Sequence, residues 1–133
     1  MTDSGREAEI RERFADIIGP DPGGTELALL ARLIRSFLGR TPAAVDRLGD
    51  LLRSGDTAAA GDHAHGLKGS ASNLGAGALA AVFAEVEHAA RDGLVADPDA
   101  VRDRAGTELA LAADVLERLA GEFDQAPQVV PGP

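Results

Sequence analysis

The sequence predicts an all-α fold, a four-helix, up-and-down antiparallel bundle with an additional short N-terminal helix. Apolar residues recur at helical spacing in segment after segment, whereas the alternation typical of strands is missing. The links between these segments are short, which makes consecutive helices antiparallel neighbours. The chain has four Phe and neither Trp nor Tyr, so its core must consist mainly of Leu, Ala and Val. This composition favours closely packed helices over sheets.

The first half of the sequence predicts three helices. The first covers about residues 6–18 and ends at Gly19-Pro20, and the second begins at Thr25, a suitable N-cap. Thr41-Pro42 is a further start signal, a cap followed by proline at the first helical position, and therefore predicts a break before a helix that ends near residue 54. The apolar stripe predicted to face inward along residues 25–54 comprises Leu27, Leu30, Leu33, Ile34, Phe37, Leu38, Val45, Leu48, Leu51 and Leu52.

The second half predicts three further helices. Asp56 is a suitable N-cap for a helix that runs to about residue 75, and the next helix covers residues 77–91. Asp97-Pro98 opens a last helix that ends near residue 123. We therefore divide the chain into an N-terminal helix packed on the bundle (residues 1–20), the bundle domain (21–123) and a disordered tail (124–133).

Composition and charge exclude several classes of function. The chain has 133 residues, with 13 Lys and Arg against 22 Asp and Glu, and a net charge of -9. This acidic balance argues against a nucleic-acid partner, because binding to phosphates needs clustered cations. The absence of Cys excludes disulfides, thiolate metal sites and a cysteine nucleophile.

The sequence carries no sign of export or of membrane insertion. Its first residues are polar, without the apolar stretch of a secretory signal. No run approaches the roughly 18 to 20 apolar residues of a membrane span. We therefore expect a cytoplasmic monomer that does not bind membranes. The start at Met1 and the Pro-containing end favour a free-standing protein over a piece of a larger one.

One stretch, residues 62–70, differs from the other helical segments. If Ala64 faces the core, His65 is rotated by about 100° toward the edge of the bundle. The other residues on its helical face are small or positively charged, namely Gly61, Lys68, Gly69 and Ser72.

Glycine inside a helix costs roughly 1 kcal/mol relative to alanine, yet Gly61, Gly66 and Gly69 all lie near His65. We infer that this backbone is left bare so that another molecule can approach closely, with Gly61, Gly69 and Ser72 providing access for a partner. The alternative is that a chain with 16 Gly placed them there by chance.

His65 and Lys68 stand at positions i and i+3, which makes them neighbours on one helical face. A neutral imidazole nitrogen can accept a phosphoryl group, and an unperturbed imidazole is largely neutral at cytoplasmic pH. A cation one turn away would offset the negative charge of the product, which is most of what phosphoryl transfer requires. Lys68 is the sole lysine among the 13 basic residues.

The segment from residue 65 to residue 76, His-Gly-Leu-Lys-Gly-Ser-Ala-Ser-Asn-Leu-Gly-Ala, resembles the signature of histidine-containing phosphotransfer (HPt) domains. The pattern continues downstream through Val86-Glu87 to Gly93, and upstream to about residue 20. The resemblance implies a four-helix bundle, in agreement with the periodicity. Gly66 departs from the Ser or Thr that often follows the histidine of this family.

The resemblance also implies roles for individual residues. His65 would be the phospho-accepting histidine, Lys68 the neighbouring positive charge, and Gly69 the residue whose missing side chain gives access. HPt domains shuttle phosphoryl groups between receiver-domain aspartates in multistep His–Asp phosphorelays. The implied partners are receivers of response regulators or hybrid histidine kinases, which supply the Mg²⁺ and the catalytic carboxylates. The protein itself then needs no cofactor and no metal, and it has no kinase activity of its own.

Other sites are disfavoured by geometry. His63 and His65 could suggest a metal site, but positions i and i+2 of a helix lie about 200° apart and cannot share one ion. Ser70 as a hydrolase nucleophile lacks both the elbow glycines and a preceding strand. No Gly-rich phosphate loop ending in Lys-Ser or Lys-Thr is present for ATP. His88 is expected to be a solvated or edge residue.

Two classes of function remain. The first is a phosphotransfer module that uses His65. The second is a helical bundle that only binds a partner, either a catalytically silent HPt-like adaptor or an unrelated binding module. Lys68 and Gly69 favour the first class, since a scaffold has no need of a cation and bare backbone beside an exposed histidine. We expect the docking face to combine the exposed parts of helices 56–75 and 77–91 around His65.

Overall fold

The structure, a computed structural model, describes residues 2–125, which contain five helices. They are α1 (Asp3–Ile18), α2 (Gly24–Ser54), α3 (Thr57–Asn73), α4 (Gly77–Arg91) and α5 (Pro98–Gln125). No strand occurs among these residues. The all-α fold class predicted from the sequence is therefore confirmed.

Ion pairs between the helices show their relative directions. Arg35 in the first half of α2 pairs with Asp124 at the end of α5, and Arg53 at the end of α2 lies 2.9 Å from a carboxylate oxygen of Asp99 at the start of α5. These two helices are therefore antiparallel. Short links join α2 to α3 and α3 to α4, so helices α2–α5 form an up-and-down bundle.

The bundle encloses an apolar core in which α3 differs from the other helices. The buried residues of α3 are all alanines, Ala60, Ala64 and Ala71. Such a small-residue face lets its neighbours approach closely. The largest fully buried side chains come from the other four helices and are Ile10, Phe14, Ile34, Phe37, Leu48, Leu79, Phe83, Val86 and Leu116.

The break predicted at Thr41-Pro42 is wrong, because α2 is one continuous helix of 31 residues with Pro42 inside it. Proline donates no backbone hydrogen bond and costs about 3 kcal/mol in a helix interior. The apolar stripe nevertheless stays in phase, with Phe37 buried before Pro42 and Val45 and Leu48 buried after it. Burying such side chains contributes about 1.5–3 kcal/mol each, so packing outweighs the cost of the proline.

Other differences concern helix ends. α1 begins at Asp3 rather than near residue 6, because the Thr2 hydroxyl accepts a hydrogen bond from Gly5 N at 3.0 Å and caps the helix. α3 begins directly after Asp56, whose carboxylate accepts a hydrogen bond from Ala59 N at 3.0 Å, so the predicted cap is confirmed.

Two further corrections apply to α2 and α5. α2 begins at Gly24 with Gly23, not Thr25, in the cap position, and Leu33 of its predicted inward stripe is exposed. α5 continues through Asp124 to residue 125, so the helix extends into the predicted tail. The remainder of that tail, residues 126–133, lies outside the described residues.

α1 packs outside the four-helix bundle, against α5 and α4. Arg6 pairs with Glu108 and Arg11 pairs with Glu122, so α1 runs parallel to α5. None of the helices within residues 2–125 combines the length and apolarity needed to cross a membrane.

α1 also holds the turn between α3 and α4. The carboxylate of Glu9 accepts a hydrogen bond from Gly77 N at 2.8 Å, and Arg13 Nε donates to the Asn73 carbonyl at 2.9 Å. Between these two points Gly75 adopts a left-handed conformation with φ 78°, and a Cβ there would lie 2.8 Å from the Cβ of Arg13. Only glycine fits this turn beneath α1. α1 therefore contacts the turn on both sides, at the end of α3 and at the start of α4.

Candidate functional site

α3 and α4 lie close together, and this proximity assembles the site. Gly61 of α3 stands opposite Ala90 of α4, and a Cβ added to Gly61 would lie 2.9 Å from the Ala90 Cβ. A larger residue at position 61 would therefore push the helices apart. One turn after Gly61, α3 presents His65 at the same interface.

The imidazole of His65 pairs with a carboxylate on α4. Nδ1 of His65 is hydrogen-bonded to Oε2 of Glu87. The His65 side chain is 67% exposed, whereas that of Glu87 is only 10% exposed. Because an ionised carboxylate can only accept hydrogen bonds, Nδ1 must carry the ring proton. In the neutral ring, the free lone pair then lies on Nε2.

Glu87 is also paired with two cations. Lys68 Nζ donates to Oε1 of Glu87 at 2.5 Å, and Arg91 Nη2 lies 3.6 Å from Oε2. The hydrogen bond from Lys68 is the main reason why the pKa of Glu87 lies below its ordinary value. Burial raises the pKa and so opposes this shift, whereas the hydrogen bond from His65 lowers the pKa further. Glu87 is therefore ionised at neutral pH.

Glu87 and its two cations carry a net positive charge, although Asp62, Glu85 and Asp92 also line the surrounding grooves. Lys68 and Arg91 contribute two positive charges and Glu87 one negative charge, so the sum is +1 while His65 is neutral. A phosphoryl group carries close to two negative charges at neutral pH. Lys68 and Arg91 therefore provide positive charge beside an anion that forms on Nε2 of His65.

Two grooves flank this cluster, and Glu87 and Arg91 line both. The first groove contains His65 and is lined by Thr57, Ala58, Gly61, Asp62, His65, Glu87, Ala90 and Arg91. The second contains Lys68 and is lined by Lys68, Ala84, Glu85, Glu87, His88, Ala89, Arg91, Asp92 and Leu94.

The site residues predicted from the sequence do not all lie at the same part of the surface. His65 and Lys68 meet on the carboxylate of Glu87. Gly61 lines the groove of His65, and its missing side chain also permits the close packing of α3 on α4. Gly69 is exposed, and a Cβ added there would have no neighbour within 4 Å.

Ser72, the fifth of these residues, is exposed and lies at a separate depression. That depression is bordered by Glu12, Arg13 and Asp16 of α1. Ser72 thus stands on the α1 side of α3, whereas the two grooves of the site lie toward α4.

Glu87 is the site residue that sequence reasoning missed. In the sequence, Val86-Glu87 stands out only as part of the family pattern. A local signal was nevertheless present, because Glu87 follows the buried Phe83 by four residues and so falls on the inward stripe of α4. A charged residue on such a stripe needs a partner.

The other two histidines contact different parts of the protein. His63 points to α2, where its Nε2 lies 2.8 Å from the Ala44 carbonyl oxygen. His88 is exposed, as expected, and lies 4.0 Å from Asp92. Within residues 2–125, no group of three or more His, Cys, Asp or Glu side chains could hold a metal ion.

Comparison with known proteins gives one match. A family model described as "Hpt domain" matches residues 32–128, which is 97 of the 133 residues. No curated protein matches the chain, and no solved structure matches it. The matched range contains α3 and α4 entirely and excludes α1.

Proposed function

Since a match over most of its length shows that the chain belongs to the Hpt domain family, we propose that it carries a phosphoryl group on His65 in a His–Asp phosphorelay. Domains of this family are helical phosphocarrier modules that interact with receiver domains, and they are not kinases. In the proposed cycle, His65 accepts the phosphoryl group from an aspartate of one receiver in the cytoplasm and passes it to an aspartate of another. The pairing of exposed His65 with buried Glu87 carries the proposal.

Nε2 of His65 is the proposed nucleophile. Its lone pair attacks the phosphorus of the aspartyl phosphate, the bond from phosphorus to the aspartate oxygen breaks, and the carboxylate leaves with that electron pair. The ring becomes positively charged because Nδ1 keeps its proton. Glu87 accepts the hydrogen bond from that N–H and stabilises the charge. The same charge makes the ring a better leaving group when the phosphoryl group is returned to an aspartate.

Lys68 and Arg91 are the proposed partners of the phosphoryl oxygens. In phosphoryl transfer the charge is spread over three oxygens, and catalysis depends mainly on positioning and neutralisation. Both cations contact Glu87 in the unphosphorylated protein, and both side chains are long and flexible. The receiver would supply the Mg²⁺ and the carboxylates of its own site, so the chain needs no metal of its own.

Gly69 is proposed to keep the surface beside His65 open for the receiver. A Cβ at this position would have no neighbour within 4 Å, so a larger residue would project outward without disturbing the bundle. Gly69→Leu should therefore weaken receiver binding while the protein stays folded. Normal binding by this variant, measured by calorimetry, would remove the access role.

The proposal is tested by following a radioactive phosphoryl group. A receiver domain carrying a labelled aspartyl phosphate is mixed with the wild-type protein, His65→Gln and His63→Gln. We expect the label to move to the wild type and to His63→Gln, but not to His65→Gln. Labelling of His65→Gln at the wild-type rate would refute the assignment. A wild type that binds the receiver without taking the label would instead indicate the catalytically silent adaptor.

A further inference from the structure

Five large apolar side chains are exposed among the described residues, in two groups. Ile17, Leu29 and Leu33 belong to α1 and α2, whereas Leu94 and Val95 lie in the link between α4 and α5. Leu94 is the most exposed of the five, at 62%. Exposure alone says little, since scattered apolar residues are normal on protein surfaces. The position of Leu94 is what gives it significance.

The backbone holds Leu94 in a fixed place. Gly93 has a left-handed conformation with φ 71°, and its N–H donates to the Ala90 carbonyl at 3.0 Å while the N–H of Leu94 donates to the Ala89 carbonyl at 2.9 Å. These two bonds form the Schellman motif that ends many helices. A side chain presented on a hydrogen-bonded turn loses little backbone freedom when it is bound.

Leu94 shares a groove with the candidate site. The groove has a volume of about 570 Å³, and Leu94 lines it together with two cations and three carboxylates, namely Lys68, Arg91, Glu85, Glu87 and Asp92. The remaining apolar lining consists of alanine side chains. Leu94 is thus the large apolar group of a surface whose other members include the charges proposed to act on the phosphoryl group.

A macromolecule that reaches Nε2 of His65 must cover this groove. A standard interface buries about 800 Å² on each partner, equivalent to a disc of about 16 Å radius. Leu94 is hydrogen-bonded to Ala89, and residue 89 follows Glu87 by only about 3 Å along the axis of α4. Leu94 therefore lies well inside a disc centred on the His65–Glu87 pair.

Leu29, an exposed leucine of α2, lies elsewhere. Leu29 precedes Ala44 by 15 residues, which corresponds to about 22 Å along a helix. Ala44 is the residue that His63 contacts from α3. Leu29 is therefore outside the area that a partner docked at His65 would cover, although its exposure of 55% is similar to that of Leu94.

We propose that Leu94 is the apolar anchor by which a receiver domain docks at His65, an inference that rests on the proposed function. An apolar side chain surrounded by charged groups is the arrangement typical of an interface hot spot with a polar rim. The partner it fits is a receiver with an apolar recess beside its phosphorylated aspartate. The carboxylates of that receiver would face Lys68 and Arg91.

The test compares two phosphoryl donors. One donor is a labelled receiver domain, chosen from a panel as the one that labels the wild type fastest, and the other is phosphoramidate, a small donor that needs no docking surface. The variants are Leu94→Ser, the conservative Leu94→Met, and Leu29→Ser as a matched control. For Leu94→Ser, we expect the ratio of receiver-dependent to phosphoramidate-dependent labelling to fall about 10-fold or more. The other two variants should keep the wild-type ratio to within about twofold.

Several results would overturn the proposal. One is a ratio of receiver-dependent to phosphoramidate-dependent labelling that is the same in Leu94→Ser as in the wild type, and another is an equal fall of this ratio in Leu29→Ser. A third is a parallel loss of labelling by both donors in Leu94→Ser, which would place the effect at His65 and not at the docking surface. Failure of the proposed function is recognised separately, in the wild type. A wild type labelled by phosphoramidate but by no receiver would refute that function and the docking role together.

Discussion

His65 and Glu87 meet across the α3–α4 interface, where Nδ1–H of an exposed imidazole donates a hydrogen bond to a buried carboxylate. This pair makes the two ring nitrogens different, because Nδ1 is hydrogen-bonded to α4 whereas Nε2 keeps a free lone pair. The carboxylate is in turn held by Lys68, which lies three residues after His65 on α3. The orientation of the histidine is therefore linked to a cation of its own helix through a residue of the neighbouring helix.

Replacing Glu87 by alanine should allow the ring proton of His65 to move between its two nitrogens. Without the carboxylate, Nδ1 loses its acceptor and the charge on the ring loses its counter-charge. We expect labelling by phosphoramidate to slow about 10-fold, the effect of a lost charge-assisted hydrogen bond. ¹⁵N NMR of the imidazole should change from a single Nδ1–H form to a mixture. Glu85→Ala, on the same helix, is the control, and an Nε2–H form in the wild type would contradict the assignment.

The contribution of Glu87 to stability should depend on pH. Its pKa is lowered in the folded protein, so its contribution is present above the ordinary Glu pKa of about 4.3 and is lost as the pH falls through the folded value. Urea unfolding of the wild type and of Glu87→Gln should therefore show a larger difference in the free energy of unfolding at pH 7 than at about pH 3. A difference that grows on acidification would contradict an ionised Glu87 in the folded state.

Lys68 and Arg91 should contribute unequally to phosphoryl transfer. Lys68 makes a hydrogen bond of 2.5 Å to Glu87, whereas Arg91 lies 3.6 Å away and its side chain is 70% exposed. We expect Lys68→Ala to slow phosphoramidate labelling about 10-fold and Arg91→Ala about two- to threefold. High salt should weaken the effect of Arg91 more strongly, because exposed charges are screened. Arg32→Ala serves as the control, and equal effects of Arg91→Ala and Arg32→Ala would exclude Arg91 from the site.

Gly61→Ala should destabilise the bundle although alanine is the better helix former. The new Cβ would meet the Ala90 Cβ at 2.9 Å, and overpacking of this kind costs about 1–3 kcal/mol. Urea unfolding should detect the loss, and the double variant Gly61→Ala/Ala90→Gly should recover part of it. Gly69→Ala, where the Cβ meets open space, should be neutral or stabilising by up to about 1 kcal/mol. Equal stabilisation by both alanines would show that α3 and α4 are not in close contact at position 61.

Sequence patterns predicted the helices well but misjudged their continuity. The stop at Thr41-Pro42 rested on local preferences, which are weak compared with tertiary packing. The apolar stripe of this 31-residue helix stays in phase through Pro42 and keeps the inner face buried. A rule based on neighbouring residues does not include the free energy gained by that burial. The all-α bundle was predictable because its evidence, the apolar period, is repeated in every helix.

At the site, the sequence could predict which residues share a face of one helix, but not which residues of the neighbouring helix they contact. His65 and Lys68 are three residues apart, so their proximity follows from helical geometry alone. Glu87 is 22 residues after His65, and only the packing of α4 on α3 shows that the two side chains touch. For the same reason Gly61 was predicted only as a point of access, whereas its contact with Ala90 is a matter of helix packing.

The two hydrogen bonds of α1 at the α3–α4 turn have a consequence for where the functional unit begins. A negative side chain, Glu9, meets the amide end of α4, and a positive one, Arg13, meets the carbonyl end of α3, which matches the polarity of each helix terminus. The family-model match starts at residue 32 and includes neither. A chain trimmed to residues 32–128 would retain His65 and Glu87 but lose both contacts with the turn that joins their helices. The range that the family model matches is thus shorter than the set of helices that pack together around the site.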